Sequence, residues 1–347
     1  LDGGKHRHTE ARVREDHFRN ECTTHHGSQR LGKTADGNTV SDFDAEEIKR
    51  GVSLSASVIP VEYKGHLFNI IDCPGHFGFY GEVAEALSVA DLAVIVVPAK
   101  GKVPVGAERS YKLVKEHNLP CVVYVAKCDE DHSDYNAVVE ELKEKFGNQV
   151  TAVVSPLLDS SKNATGVLDI LNRCAYGMGD KGKDQKLDVP AEKEDYLEEA
   201  YAALMENVAE TTEELMEKFF DGEEFTPEEV AEGMLTGVKE GSVIPVYAGS
   251  AFNAMGTEAF MNGLITMGPY PMNTEPMSSV DADGEPVEIK VSAEGDTVVF
   301  VFKTVSDQYG KYSYVKVLRG KLTPDMSLIN GRTGSSEKIG RLYSMIA

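Results

Sequence analysis

The chain has 347 residues, 41% of them hydrophobic and 27% charged, which is ample apolar material for a buried core and a length that suggests two or more domains. Its formal net charge of -22 repels nucleic-acid phosphate on average, so this chain is not expected to grip RNA or DNA by bulk electrostatics. The five cysteines (Cys22, Cys73, Cys121, Cys128 and Cys174) are odd in number, scattered and without a CxxC pair, which speaks against a disulfide framework or a zinc site and fits a reducing cytosol.

Apolar stretches such as residues 92–99 are far too short to span a bilayer, and the polar start carries no signal-peptide core. Residues 6–30 hold five of the nine histidines (His6, His8, His17, His25 and His26) and no helical or strand period. Their His-x-His and His-His pairs lack the i, i+4 spacing or cysteine partners of a metal site. From residue 56 the pattern sharpens. Residues 58–63 and 66–71 read as strands joined by a tight turn at Lys64-Gly65. A helix is expected over 81–89. A β-branched strand buried on both faces follows over 91–98, then a helix over 107–117, a second buried strand over 121–126, an amphipathic helix over 133–146 and a strand over 150–154. Strands alternating with helices predict an α/β domain with a parallel doubly wound sheet. Residues 156–242 read as a helical insertion, with a charged loop at 181–186, an acidic helical region over 192–220 and a helix opened by Thr226-Pro-Glu-Glu. The sheet resumes at 243–248. After a Pro-rich linker at 269–276, short strands at 287–292, 297–305, 312–319 and 327–329 predict an all-β barrel domain that is incomplete at residue 347. The domain boundary is placed at 275/276.

Four short motifs carry chemistry. Asp72-Cys73-Pro74-Gly75-His76 follows a strand. A carboxylate at a strand's C-terminal end can hold Mg²⁺ through water, and Gly75 lets a backbone N–H approach a γ-phosphate. Ala126-Lys127-Cys128-Asp129 ends another strand. The Asp129 carboxylate can accept hydrogen bonds from both N1–H and the exocyclic amine of guanine, a pair that adenine does not offer, and the Lys127 stem can pack along the base. Gly249-Ser250-Ala251 can direct backbone N–H groups at guanine O6. The Ser53 hydroxyl, in Lys49-Arg50-Gly51-Val52-Ser53, can ligate Mg²⁺ beside the phosphates.

In this order the motifs resemble the translational GTPases, most closely elongation factor G. Residues 41–53 look like the first switch, DCPGH the second, AKCD the NKxD element and GSA the last base-binding motif. Residues 206–226 resemble the insert that separates elongation factor G from most relatives, and residues 312–345 resemble its second, barrel domain. The resemblance implies a P-loop NTPase-like fold that binds GTP or GDP with Mg²⁺. It assigns Ser53 and Asp72 to the metal, Gly75 to the γ-phosphate and His76 to orienting the attacking water. It gives Lys127, Cys128, Asp129, Gly249, Ser250 and Ala251 to the base, and Asp2, Gly3, Gly4 and Lys5 to the phosphates as the remnant of the phosphate loop. It implies a cytoplasmic monomer that acts in translocation at the large-subunit factor-binding site, against ribosomal RNA and the stalk protein, without membrane or DNA. The sequence departs from the family at His6, where a Mg²⁺-binding Thr or Ser is expected, at Ala126 for Asn, and at Gly78 for Asp. A ribosome-protection GTPase and a non-hydrolysing pseudo-GTPase module remain open beside the translocase reading.

Overall fold

The computed structural model describes residues 44–178, 184–251, 253–281, 284–307 and 310–343; Asp2, Gly3, Gly4 and Lys5 of the expected phosphate loop lie outside them. The described chain opens with helix α1 (Ala45–Arg50), capped by the Asp44 carboxylate on the Glu46 N–H and closed by Gly51 in the left-handed region at φ 66°. Strands β1 (Ser57–Tyr63) and β2 (His66–Asp72) form an antiparallel hairpin in full register, Ser57 opposite Asp72 and Tyr63 opposite His66. Its turn puts both Lys64 and Gly65 at positive φ, as a two-residue hairpin requires. Along β1 every second residue (Ser57, Ile59, Val61 and Tyr63) is buried, the period of a strand with one face in the core.

Helix α2 (Tyr80–Leu87) leads to a parallel sheet in the order β3 (Ala93–Pro98), β4 (Cys121–Ala126), β10 (Ile244–Ala248), β5 (Val150–Ala152). Helices α3 (Val105–Glu116) and α4 (Tyr135–Phe146) supply the crossovers. β10 is buried throughout and β4 nearly so, as their apolar runs predict. β3 is not covered to the same degree: Val94 is 37% exposed. Among the described residues β3 pairs only with β4 and β2 only with β1. A cavity of about 3270 Å³ lies against residues of both strands and of α2, α3 and α8 (Thr257–Met267). The expectation of a strand buried on both faces fails at β3 for that reason.

The segment expected to be a helical insertion is only half helical. After β5 the chain leaves the parallel sheet at Val153, whose N–H still donates to Val246 O at 2.9 Å. It then forms an antiparallel meander of β6 (Val154–Leu158), β7 (Ala164–Asp169), β8 (Cys174–Met178) and β9 (Asp184–Leu187). The strand expected over 150–154 is thus divided between two sheets. The last four residues of β7 are all buried, so the apolar/polar alternation that would mark it is absent from the sequence. Three helices follow: α5 (Ala191–Ala209), α6 (Glu213–Phe220) and α7 (Pro227–Glu240). α7 starts with a capping box in which Thr226 and Glu229 satisfy each other's backbone N–H. α5 and α6 keep their carboxylates in solvent and bury Leu197, Leu204, Met205, Val208 and Leu215.

The chain then enters a β domain of antiparallel ribbons: β11 (Met277–Val280) with β12 (Pro286–Ile289), β13 (Val298–Asp307) with β14 (Gly310–Arg319), and β15 (Ser327–Ile329) with β16 (Ser336–Lys338). These described strands pair two by two; none of the three ribbons shares a sheet with another.

Candidate functional site

β3, β4 and β10 run parallel, so their C-terminal ends, Pro98, Ala126 and Ala248, share one edge of the sheet. Loops leaving that edge are where an open α/β sheet holds its ligands. Two of the four motifs meet there. The Cys128 N–H donates to Gly249 O at 3.1 Å, and the Gly249 N–H donates to Val125 O at 3.0 Å. The AKCD and GSA loops are therefore stitched into one unit. Cys128 is buried, its thiol donating to Val125 O at 3.3 Å and its carbonyl accepting from Ser133 Oγ at 3.1 Å. Burial pushes the Cys128 thiol up to about 12, against a backbone hydrogen bond at Gly249 and helped by the Asp129 carboxylate. It is a neutral packing residue that holds the loop and no nucleophile.

Lys127 sits in the left-handed region at φ 65°, a conformation that a non-glycine residue keeps only when its surroundings fix it. Its ammonium is 3.1 Å from Glu130 Oε1, and its side chain is 38% exposed, leaving the stem free to lie along a planar ligand. Asp129 is half-buried at the same loop. Ser250 is 1% exposed and its N–H donates to Met255 O at 2.9 Å. Ala251 follows, half-buried.

Gly249 has no room for a side chain: a Cβ there would overlap Tyr124 Oη and lie 2.5 Å from Met255 O. Gly249→Ala should cost about 1–3 kcal/mol of stability and displace the AKCD and GSA loops. Urea unfolding checks the first effect and a nucleotide titration the second.

The DCPGH motif begins at the last residue of β2. Asp72 through His76 line the large cavity, as do Pro98, Lys100 and Lys102 at the end of β3. Burial pushes the Cys73 thiol up to about 12, reinforced by Asp72 and Glu82 and opposed by Lys303. Gly75 and His76 are exposed. His76 caps the short turn Phe77–Phe79, its Nδ1 accepting the Gly78 N–H at 3.1 Å. With Nδ1 an acceptor, the ring proton of the neutral imidazole is on Nε2. In that state His76 offers a donor to solvent, which suits orienting a water and not deprotonating it.

Ser53 is 6% exposed and lies between α1 and β1. The buried Glu47 carboxylate fixes the segment that follows, Oε1 accepting the N–H of Leu54 at 2.6 Å and of Ser55 at 3.0 Å. No group of three or more His, Cys, Asp or Glu that could hold a metal occurs among the described residues. The oxygen donors of Ser53 and Asp72 fit the one case where so few protein ligands suffice, a Mg²⁺ that takes its remaining oxygens from water and phosphate.

Sequence reading missed Glu47, Lys100, Lys102 and Lys303. Lys100 and Lys102 carry a legible signal, since they follow an apolar strand at its C-terminal end, the side of an open α/β sheet where ligands bind. Glu47 and Lys303 carry none, because each looks like one more surface charge in a charged stretch.

Comparisons with known proteins place the chain in a family. Residues 16–270 match the family described as "Elongation factor Tu GTP binding domain". The chain is 32% identical over 303 residues to an "Elongation factor G-like protein" of Thermotoga maritima, covering 87% of this chain and 44% of that protein. It is 31% identical over 324 residues to "Elongation factor G 2" of Vibrio cholerae, covering 92% and 46%. A crystal structure of a Thermus thermophilus protein superposes with a TM-score of 0.83 at 26% identity, over 96% of this chain and 47% of the other. The chain spans less than half the length of these relatives. With the family matched over most of the chain, the chain belongs to the elongation factor Tu GTP-binding-domain family, the translational GTPases.

Proposed function

We propose that the chain is the nucleotide-binding portion of an elongation factor G-like GTPase, which binds GTP and GDP with Mg²⁺ and hydrolyses GTP when a ribosome positions His76. The observation that carries this reading is the joining of Cys128 and Gly249 through a backbone hydrogen bond, which holds the loops of Lys127, Asp129 and Ala251 together, with Ser250 buried beneath them. On this reading Asp129 accepts from N1–H and the 2-amino group of guanine, Lys127 covers the base, and the Ala251 N–H meets O6, since the N–H groups of Gly249 and Ser250 already donate to Val125 O and Met255 O. Ser53 and Asp72 hold the metal, which when bound neutralises phosphate charge. Lys100 and Lys102 bring further positive charge to the same rim, the N–H of Gly75 meets the γ-phosphate, and His76 donates to the attacking water through Nε2–H. Asp2, Gly3, Gly4 and Lys5 belong to the phosphate cradle. Hydrolysis is then in-line attack driven by positioning and charge stabilisation. The partners on this reading are the ribosomal RNA and stalk protein of the large subunit, met in the cytoplasm by a monomer, and the whole protein's role is translocation.

A titration with fluorescent GDP and GTP in Mg²⁺, with an ATP analogue as control, tests the binding step. Saturable guanine-specific binding at micromolar concentration or tighter is expected; equal response to the ATP analogue, or none to any nucleotide, defeats the reading. A non-hydrolysing binding module is favoured by one feature, the Ala126 side chain, which has no polar group to tie the base-reading loop to a phosphate loop. Multiple-turnover phosphate release with ribosomes separates the two, turnover excluding the inert module.

A further inference from the structure

The β domain reaches the segments that follow Ser53 and DCPGH through one buried cation. The register of β13 against β14 shifts between Val301 and Lys303, and a bulge of this kind re-aims the side chains beside it. Lys303 is 6% exposed. Its Nζ lies 2.5 Å from Glu82 Oε2, 2.5 Å from Ser55 Oγ and 3.2 Å from Ala56 O. Glu82 Oε2 also accepts the Ala56 N–H at 2.6 Å and the Ser55 hydroxyl at 3.1 Å. Three segments distant in sequence therefore close on one carboxylate oxygen: the stretch just after Ser53, helix α2 just after DCPGH, and β13. Burial acts to raise the Glu82 carboxyl, yet the hydrogen bonds from Lys303 and Ala56 hold it below the usual carboxylate range, so the node is an ion pair. A second lysine docks the same ribbon elsewhere: Lys316 Nζ on β14 donates to Val89 O at 2.7 Å and Asp91 Oδ1 at 2.6 Å, beyond the C-terminal end of α2. From the other side Glu47 grips the N–H groups of Leu54 and Ser55.

We infer that Lys303 is a positioning residue: it locks residues 53–56 and helix α2 to each other and to the β domain, so that the two phosphate-sensing segments move together and pass their state to that domain. This deepens, and rests on, the nucleotide reading given above. An ion pair that merely glued two domains would act wherever it stood on the interface. Lys303 stands where the segments that follow Ser53 and Gly75 converge, whereas Lys316 does not, and that contrast supplies the test.

Amide hydrogen exchange is measured on the intact nucleotide-free chain carrying Lys303→Met, Glu82→Gln or Lys316→Met, and the affinities for GDP and for a non-hydrolysable GTP analogue are measured in parallel. Lys303→Met should raise exchange at Leu54, Ser55, Ala56 and the first turn of α2 by roughly tenfold or more, with β4 and α5 unchanged. Glu82→Gln should do the same more weakly, because the amide oxygen keeps an acceptor but not the charge; it decides the matter should Lys303→Met fail to fold. Lys316→Met should leave residues 54–56 protected. Unchanged protection of residues 54–56 in Lys303→Met, or equal loosening in Lys316→Met, overturns the proposal. Where the unaltered chain binds both nucleotides, Lys303→Met should also narrow its preference between GTP analogue and GDP; an unaltered preference refutes the coupling and leaves the nucleotide reading standing. Where the unaltered chain binds neither, the nucleotide reading fails by itself, and the exchange pattern still decides whether the lock exists.

Discussion

Asp129→Asn is expected to lower the affinity for guanine nucleotides about a hundredfold to a thousandfold, with little change in fold stability. A carboxylate accepts two hydrogen bonds from guanine, and hydrogen bonds to a charged group contribute about 1.5–3 kcal/mol each. An amide retains one acceptor and turns a donor toward a base donor, so one contact is lost and the other becomes repulsive. The loop itself should hold, because it is fixed by the Cys128 N–H on Gly249 O, the Cys128 thiol on Val125 O and Ser133 on Cys128 O, none of which involves the Asp129 side chain. A purine with oxygen in place of the 2-amino group presents an acceptor to the new amide and should recover part of the loss. Titration of the variant with the two nucleotides side by side is the check. Equal guanine affinity in variant and parent would remove Asp129 from the base site.

The largest effect on stability is expected at Phe260. Its ring, 2% exposed, packs from α8 against Tyr124 of β4 at 4.9 Å and Tyr247 of β10 at 5.1 Å, the latter edge to face. Phe260→Ala removes the central ring of this aromatic cluster, between a helix and the two strands that lead into the AKCD and GSA loops. A loss of about 3–5 kcal/mol is expected, transfer and cavity terms together. The chain has no tryptophan and 14 tyrosines, so near-ultraviolet circular dichroism during urea unfolding reads the tyrosine environment directly. The midpoint should fall without a change in slope for the α/β transition. Guanine affinity should fall as well, because Tyr124, which lies against Gly249, loses its packing partner.

Much of the fold was legible in the sequence, and the reasons are local. The run Cys121–Ala126 is read as a strand with the bounds it has in the structure, because a continuous β-branched run has no helical face to satisfy. The hairpin turn at Lys64-Gly65 and the capping box at Thr226 are equally local, each set by a few residues and their backbone hydrogen bonds. The meander of β6 to β9 was not legible. Gly166 in it has Tyr176 of the neighbouring strand pressed against the place of its missing Cβ, a constraint between residues ten apart that no periodicity records. The partial exposure of β3 was hidden for the same kind of reason: Val94 belongs to an apolar run, and only the arrangement of neighbouring strands decides whether its edge is covered.

The sequence alone determined which residues could do the chemistry. Asp72, Gly75, His76, Lys127, Asp129 and the 249–251 turn stand after apolar strands, and a strand's end is a property of short-range pattern. The tertiary structure alone decided which of their loops are joined and what packs against them. That Cys128 and Gly249 share a hydrogen bond across more than a hundred residues, and that Lys303 reaches back to Ser55 and Glu82, follows from packing. A buried donor must find an acceptor wherever the fold supplies one, and burial, not sequence neighbourhood, makes that demand.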